Sequence, residues 1–393
     1  MTDERRVDRT PSGVDLAVAH WGEHANGGGD RLAWELARVF EDAPFYVGWR
    51  DESIEPADIE AQQLIQDRLL RRALERGGLA RQFAHLVGWQ LASPLREYDV
   101  LLTSGNEPLF YVAPTEQTWI AYIHHTNRRQ SDQITEVESA RFPRLRLLIH
   151  YAIRVLFDHN THRPDLYVVN SELVKRRLER YWGVPSEKIS VVYPPVDTHE
   201  YDPADTETGE YYATLSRLDW HKDIDGIVRA FNDLDQRLLV AGDGPERERL
   251  ERLADDNVEF LGYVDEAEKR RLLSGAKAFV FNGRDEDFGI APVEALAAGT
   301  PLLGVEEGMT QFQVVDGKNG YCHTRAGEPG RSLSETVQWF ETEGVEWSAS
   351  EIADFADRFS VDAFHEGMQD AVDTAVSSAD ITPTWYQPYE SDN

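Results

Sequence analysis

Residues 278–305 read Ala-Phe-Val-Phe-Asn-Gly-Arg-Asp-Glu-Asp-Phe-Gly-Ile-Ala-Pro-Val-Glu-Ala-Leu-Ala-Ala-Gly-Thr-Pro-Leu-Leu-Gly-Val. Apolar Ala278 to Phe281 reads as a buried strand, a polar loop follows, a helical run stops at Gly299, and Pro301 to Val305 reads as the next strand. A unit of this kind carries its loop above the edge of a sheet. Glu286 then lies on the loop and Glu294 on the inner face of the helix, with Phe288, Gly289 and Ile290 forming the turn between them. The first N–H groups of the helix have no intrahelical acceptor and point outward, ready for an anion. Two carboxylates able to accept hydroxyl hydrogen bonds, beside a place that welcomes phosphate, suggest a nucleotide-sugar pocket.

The same alternation runs in both directions along the chain. Val14 to Ala19 reads as a first strand, followed by a glycine-rich loop and a helix from Asp30 to Phe40. Asp99 to Thr103, Trp119 to His124 and Leu166 to Val169 are further strands. Asn170-Ser171 caps a helix that stops at Gly183, and Ile189 to Tyr193 runs into Pro194-Pro195, which cannot continue a sheet interior. After the polar stretch 202–210 the pattern restarts with Tyr211 to Leu215, Leu238 to Ala241 and Val258 to Leu261. A closing helix is expected over 361–376. The fold class is α/β, with two doubly wound, Rossmann-like parallel sheets. The expected domains are 1–200 and 201–376, with a tail over 377–393.

At 393 residues and 41% hydrophobic content, the chain can build two substantial cores. It has no apolar run of the ~18–20 residues that spans a bilayer and no signal-like N-terminus. The lone Cys322 makes a reducing cytoplasm the expected location and excludes cysteine-based zinc sites. The net charge is −31, with 6 Lys among the 40 basic residues. Abundant carboxylates and scarce lysine read as the surface of a protein from a salt-rich cytoplasm, and they argue against nucleic acid as a partner. Residues 1–200 carry 30 acidic and 24 basic residues, whereas 201–393 carry 41 and 16. Two basic segments stand out in the first half: Arg68, Arg71, Arg72, Arg76 and Arg81, then Arg141, Arg144, Arg146 and Arg154. They are either solvated helix faces or a surface for an anionic membrane.

Arg217 and Lys222 follow the first strand of the second half, at the edge where doubly wound sheets bind ligands. A guanidinium forks onto phosphate oxygens and an ammonium adds a point charge, so the pair could stabilise a departing diphosphate; it could equally be solvated. Gly242-Asp243-Gly244-Pro245 is a tight turn of low specificity. Asn26-Gly27-Gly28-Gly29-Asp30 would let the backbone approach a ligand closely, or it is a flexible loop; its spacing does not fit a dinucleotide fingerprint. His124-His125-Thr126, with Arg128-Arg129 behind, could bond a sugar hydroxyl or play a structural part. No metal site is expected there.

In this order the motifs resemble the family-4 glycosyltransferases of the two-domain GT-B fold, over roughly residues 12–375. They are Gly-Gly-Gly-Asp at 27–30, His125-Thr126, and Asn170-Ser171 with Val192-Tyr193-Pro194-Pro195-Val196-Asp197. Arg217 with Lys222, Gly242-Asp243-Gly244-Pro245, and Glu286 with Glu294 and Gly299-Thr300-Pro301 complete the series. His125-Thr126-Asn127-Arg128-Arg129 is similar to a His-Thr-Pro-x-Arg segment of the mannosyltransferase-like branch.

The resemblance implies two domains facing across a cleft and a retaining hexose transfer from a nucleotide diphosphate sugar to a glycan or lipid-linked acceptor. GDP-mannose is favoured over UDP-hexoses, and neither cofactor nor essential metal is needed. It gives Arg217 and Lys222 the diphosphate, Glu294 the ribose, Glu286 the sugar hydroxyls, and Gly262-Tyr263 the base. His125 would sit near the transferred sugar, with Gly28 and Gly29 near the phosphates. Two departures stand out: Ser216 replaces a common Gly, and Phe312-Gln313 stand where many members carry a Glu. The rival readings are a non-catalytic GT-B partner of another transferase, an epimerase or phosphorylase on this scaffold, and a dinucleotide-dependent oxidoreductase.

Overall fold

The computed structural model describes residues 14–22, 28–50, 59–76, 78–126, 163–203 and 209–379. The chain divides into two compact units, Met1–Val192 with His365–Asn393, and Tyr193–Phe364. The first holds seven strands: β1 Leu16–His20, β2 Phe45–Val47, β3 Ala61–Gln63, β4 Val100–Ser104, β5 Thr118–Ile123, β6 Leu166–Val169 and β7 Ile189–Val191. They pair in parallel in the order β3-β2-β1-β4-β5-β6-β7. Every residue of β1, β4, β5 and β6 is buried, as expected where crossovers cover both faces of a parallel sheet.

The helices of this unit are α1 Gly28–Val39, α2 Arg68–Arg76, α3 Gly78–Gln90 and α4 Glu172–Arg177. Leu32, Ala33, Leu36 and Ala37 form the buried stripe of α1 at helical spacing. Ser171 caps α4 by accepting from the Val174 N–H, and the π turn that follows stops at Gly183, whose φ of 66° suits glycine.

The second unit is a six-stranded parallel sheet. Its strands are β8 Tyr211–Leu215, β9 Arg237–Ala241, β10 Val258–Gly262, β11 Phe279–Phe281, β12 Leu302–Val305 and β13 Gly320–His323, in the order β10-β9-β8-β11-β12-β13. Its helices are α5 Ile224–Asn232, α6 Arg247–Leu253, α7 Glu266–Ser274, α8 Ile290–Ala297, α9 Thr310–Gln313, α10 Leu333–Glu343 and α11 Ala349–Ala356; α12 Val361–Ala379 ends the described chain. Two aromatic and aliphatic clusters pack on the faces of the sheet, one around Phe279, Phe281 and Phe359, the other around Tyr212, Phe231 and Val240. Among the described residues, no helix is long and apolar enough to cross a membrane.

The division between the units falls earlier than position 200, and hydrogen bonds explain the place. The Tyr122 hydroxyl donates to the Val192 carbonyl (2.8 Å) inside the first unit. Past Pro194-Pro195, the Val196 N–H donates to the Phe359 carbonyl (2.9 Å) inside the second. From His365 onward α12 belongs to the first unit, where His365 Nε2 lies 2.6 Å from Glu35 Oε1 on α1. Strands β2, β3 and β13 were not anticipated. The basic segment Arg141–Arg154, with Arg128-Arg129 and Gly27, lies outside the described residues.

The second unit should lose stability in acid in two stages. Burial, with help from nearby Arg325, pushes the His323 imidazole from 6.5 down to about 4. The unfolded chain therefore takes up a proton below pH 6.5 that the folded chain refuses until about pH 4. Stability should fall by about 1.4 kcal/mol per pH unit across that window. Burial raises the Glu341 carboxyl, but bonds from the Tyr212 hydroxyl (2.7 Å) and Lys277 (3.0 Å) outweigh it and hold it below its usual 4.5, adding a steeper loss under that pH. Denaturant titrations from pH 7 to 3 measure both, and His323→Gln should flatten the first stage alone.

Candidate functional site

In the second unit the order of the sheet reverses between β8 and β11, the switch point at which open parallel sheets bind ligands. The loops leaving these two strands carry Arg217, Lys222 and Glu286. After β8, Asp219 accepts from the His221 N–H (3.0 Å) and starts a 3₁₀ turn, Trp220–Lys222, that ends at Asp223. Lys222 Nζ lies 2.6 Å from Glu286 Oε2, with the two side chains 27% and 24% exposed, and 5.8 Å above the Phe281 ring. Arg217 is exposed, with its Nε 4.0 Å from Asp219. Its guanidinium can therefore turn to an incoming anion at little cost.

The helix after Glu286 begins uncapped. Gly289 adopts φ 81° and has no side chain to offer the first-turn amides of α8. The Phe288-Gly289 turn is held from behind, since Gln313 Nε2 donates to both carbonyls at 2.8 and 3.1 Å. An ionised glutamate at position 313 has no hydrogen to give these acceptors, so the departure from the family pattern has a local purpose. Glu294, one turn into α8, meets Lys269 at 2.6 Å through Oε1. Burial would lower the Lys269 pKa, but Glu294 and Glu266 together raise it, so the ammonium persists. Glu294 Oε2 keeps no protein donor among the described residues and can accept from a ligand hydroxyl.

The glycine turns support this edge by close backbone approach. A Cβ on Gly242 would sit 1.8 Å from the Ser216 carbonyl oxygen, and one on Gly244 2.3 Å from that of Leu218. The Gly242-Asp243-Gly244 turn thus packs directly under the Arg217 loop. The Gly242 N–H donates to Gly262 (2.7 Å), and the next residue, Tyr263, is 84% exposed.

Behind Lys222 stands a network absent from the sequence reading. Asp223 takes φ 48°, ψ 40°, a left-handed conformation that costs a non-glycine residue on the order of 1 kcal/mol. Its carboxylate accepts from Arg325 (2.6 Å), Asn282 (2.9 Å) and Arg284 (3.0 Å). Arg325 also donates to Glu307 and to the carbonyls of Asn282 and Gly283. One guanidinium thereby ties together the loops after β8, β11, β12 and β13. A cavity of about 340 Å³ is lined by Asp219, Trp220, Asp223, Arg229, Glu246 and Arg249, and neither Glu286 nor Glu294 lines it.

The first unit has its own switch point, between β1 and β4. His20 is buried at the end of β1, with Nε2 3.5 Å from Asp30 on α1. His124 and His125 lie just past β5 and have different environments. His124 packs 2.8 Å from Ser104 Oγ, its carbonyl accepts from Asn170 (2.7 Å), and it lies beside Gly29, whose Cβ would come within 4.0 Å of the ring. Burial, then repulsion from His20 and His125, pushes its pKa to about 3 and keeps the imidazole neutral. His125 is exposed, and Asn106 Nδ2 donates to its carbonyl (3.1 Å). Gly28 and Gly29, expected in a loop, instead open α1, and Gly29 adjoins His124 rather than His125, the histidine to which the resemblance gave a role. Among the described residues, no group of three or more His, Cys, Asp or Glu is placed to hold a metal ion.

Arg325→Ala should destabilise the second unit by about 1.5–3 kcal/mol in urea unfolding, because Asp223 keeps only Asn282 and Arg284. Arg325→Lys should recover part of that loss, since an ammonium cannot span Asp223, Glu307 and two carbonyls together.

Comparison with known proteins agrees with this fold. The family described as Glycosyltransferase Family 4 matches residues 26–200, and that described as Glycosyl transferases group 1 matches residues 198–346. The chain is 27% identical over 227 residues to the O-antigen chain mannosyltransferase RfbU of Salmonella typhimurium, covering 55% of this chain and 61% of that protein. It is 23% identical over 275 residues to the alpha-1,3/1,6-mannosyltransferase ALG2 of Dictyostelium discoideum, covering 58% and 63%. It thus spans less than two thirds of the length of either relative. Among solved structures, the lipopolysaccharide outer core galactosyltransferase WaaB aligns with a TM-score of 0.69 at 15% identity, over 91% of this chain and 99% of that one. Anabaena HepE in complex with UDP-glucose aligns at 0.64 and 18%, over 92% and 99%. With both units matched in turn and two Rossmann-like sheets in place, the chain belongs to the family-4 glycosyltransferases of the GT-B fold.

Proposed function

We propose that this chain transfers a hexose, with mannose favoured, from a nucleotide diphosphate sugar to a glycan or lipid-linked acceptor, with retention and without a metal. The observation that carries the reading is the Lys222–Glu286 pair, set beside the exposed Arg217 and the uncapped start of α8. The names of the two mannosyltransferase relatives favour mannose. HepE bound to UDP-glucose supports a nucleotide-sugar ligand.

In this reading the donor diphosphate recruits Arg217, Lys222 and the α8 amides. Lys222 exchanges Glu286 for phosphate, and Glu286 Oε2 becomes free to accept from the sugar hydroxyls. Glu294, pinned through Oε1 by Lys269, offers Oε2 to the ribose. Tyr263, beside Gly262, covers the base. As the bond from C1 to the diphosphate stretches, negative charge grows where the two cations already stand, so they stabilise the transition state more than the ground state. The acceptor hydroxyl oxygen bonds to C1 on the face from which the diphosphate leaves, and its proton passes to the departing phosphate oxygen. The first unit takes the acceptor, and His125 and Asn106 supply polar groups at its switch point. The net charge of −31 fits a salt-rich interior.

Arg217→Ala and Lys222→Ala should each lower kcat/KM by about 10²–10³, the cost of removing one preorganised oxyanion donor, while melting behaviour stays near the parent. Unchanged transfer in both would overturn the diphosphate role. A panel of nucleotide sugars read by thermal stabilisation should rank GDP-mannose above UDP-hexoses, with about 2.7 kcal/mol of stabilisation at a hundredfold excess over Kd.

A further inference from the structure

The α2–α3 hairpin is a strongly basic stretch of an otherwise acidic chain. Residues 68–91 hold five arginines against a single acid, Glu75, in a protein of net charge −31. The hairpin is anchored from below. Leu74 and Ala84 pack with Trp49 and Ile65, and Arg81 Nε donates to the Leu74 carbonyl (2.9 Å). Among the described residues, nothing covers its outer face. Arg68, Arg72 and Arg76 stand exposed at four-residue spacing along α2, and among the described residues none of them is in an ion pair. Large apolar side chains of the same hairpin are exposed as well: Leu69 is 72% exposed, Phe83 61%, and Leu91, just past the end of α3, 69%.

We propose that this hairpin docks the protein on an anionic lipid bilayer, with the arginine row on headgroup phosphates and Leu69, Phe83 and Leu91 inserted at the acyl boundary. Charge complementarity selects an anionic partner, since the remainder of the chain repels one. The apolar residues select a lipid surface among anionic partners: they gain by leaving water for acyl chains, whereas a nucleic-acid backbone offers them nothing. A row of cations beside inserted apolar side chains is the arrangement that binds at the interface without spanning it. This surface extends the reading of a lipid-linked acceptor without depending on it, because vesicle binding is read with no turnover.

The test is flotation of the intact chain with vesicles of phosphatidylglycerol mixed with phosphatidylcholine, against phosphatidylcholine alone, at ~0.1 M salt, where the Debye length is about 10 Å. Binding to the anionic vesicles only is expected. Arg68→Gln/Arg72→Gln/Arg76→Gln should weaken it about a hundredfold, at roughly fivefold for each basic residue, and Arg68→Lys/Arg72→Lys/Arg76→Lys should restore it. Leu69→Ser/Phe83→Ser/Leu91→Ser should weaken it while leaving its salt dependence in place. No binding by the parent, or equal binding by the glutamine variant, overturns the proposal. So does a serine variant that dissociates a dimer in sedimentation yet binds vesicles as the parent does, since the face would then join two copies. Circular dichroism checks each fold. If the serine variant unfolds, the glutamine and lysine variants decide the matter alone.

Discussion

Asp223 sits directly after Lys222 in a backbone conformation that only glycine adopts freely, and its carboxylate is gripped by Arg325, Asn282 and Arg284. The strain and the grip depend on each other. A strained residue persists when its surroundings over-determine it, and here they do so with charge-assisted bonds from three residues on two loops. Lys222 inherits its position from that arrangement. Because Arg325 also reaches Glu307 and two backbone carbonyls, the loops that crown the second sheet behave as one scaffold. Charged groups held by such a network need little reorganisation when a ligand arrives, which is the advantage that preorganised charges confer.

Within this scaffold two lysines are matched to carboxylates: Lys222 to Glu286, and Lys269 to Glu294. The two pairs differ in kind. Lys269 is buried and also holds Glu266, so Glu294 is a fixed acceptor. The Lys222–Glu286 pair is more open, so a ligand with greater negative charge can draw Lys222 away. In a strongly acidic protein such pairing also keeps these cations from being scattered among surface carboxylates. The positive field is then confined to a few places, this loop edge and the α2–α3 hairpin among them.

The first unit solves a different problem with neutral groups. His20, His124 and Ser104 fill the switch point of its sheet, and burial keeps the His124 imidazole uncharged. His125, one residue on, is exposed, with its Nδ1 3.3 Å from Asn106 Nδ2 and 3.2 Å from the Thr126 carbonyl oxygen. Adjacent residues therefore differ, with one imidazole packed beside Gly29 and the other at the surface.

Much of this was legible in the chain itself. Apolar runs of four to six residues between helix-period segments can only be strands buried on both faces, and that reading fixed both parallel sheets. The Arg217–Lys222 and Glu286–Glu294 spacings announced the loops at the switch point of the second, because ligand-binding groups collect at the carboxyl edge of such a sheet. Strands β2, β3 and β13 escaped. Ala61–Gln63 is a partly exposed edge without an apolar signal, and Gly320 opens β13 because a Cβ there would strike the Leu302 carbonyl, a requirement visible only once the neighbouring strand is placed. Local sequence determined which segments are strands and helices and which residues crown their ends, since periodicity and turn chemistry act over a few residues. Folding alone decided the partners: Lys269 for Glu294, Arg325 for Asp223, and Gln313 for the Phe288-Gly289 turn. Those pairs join residues 24 to 102 positions apart, and no periodicity encodes a contact across that distance.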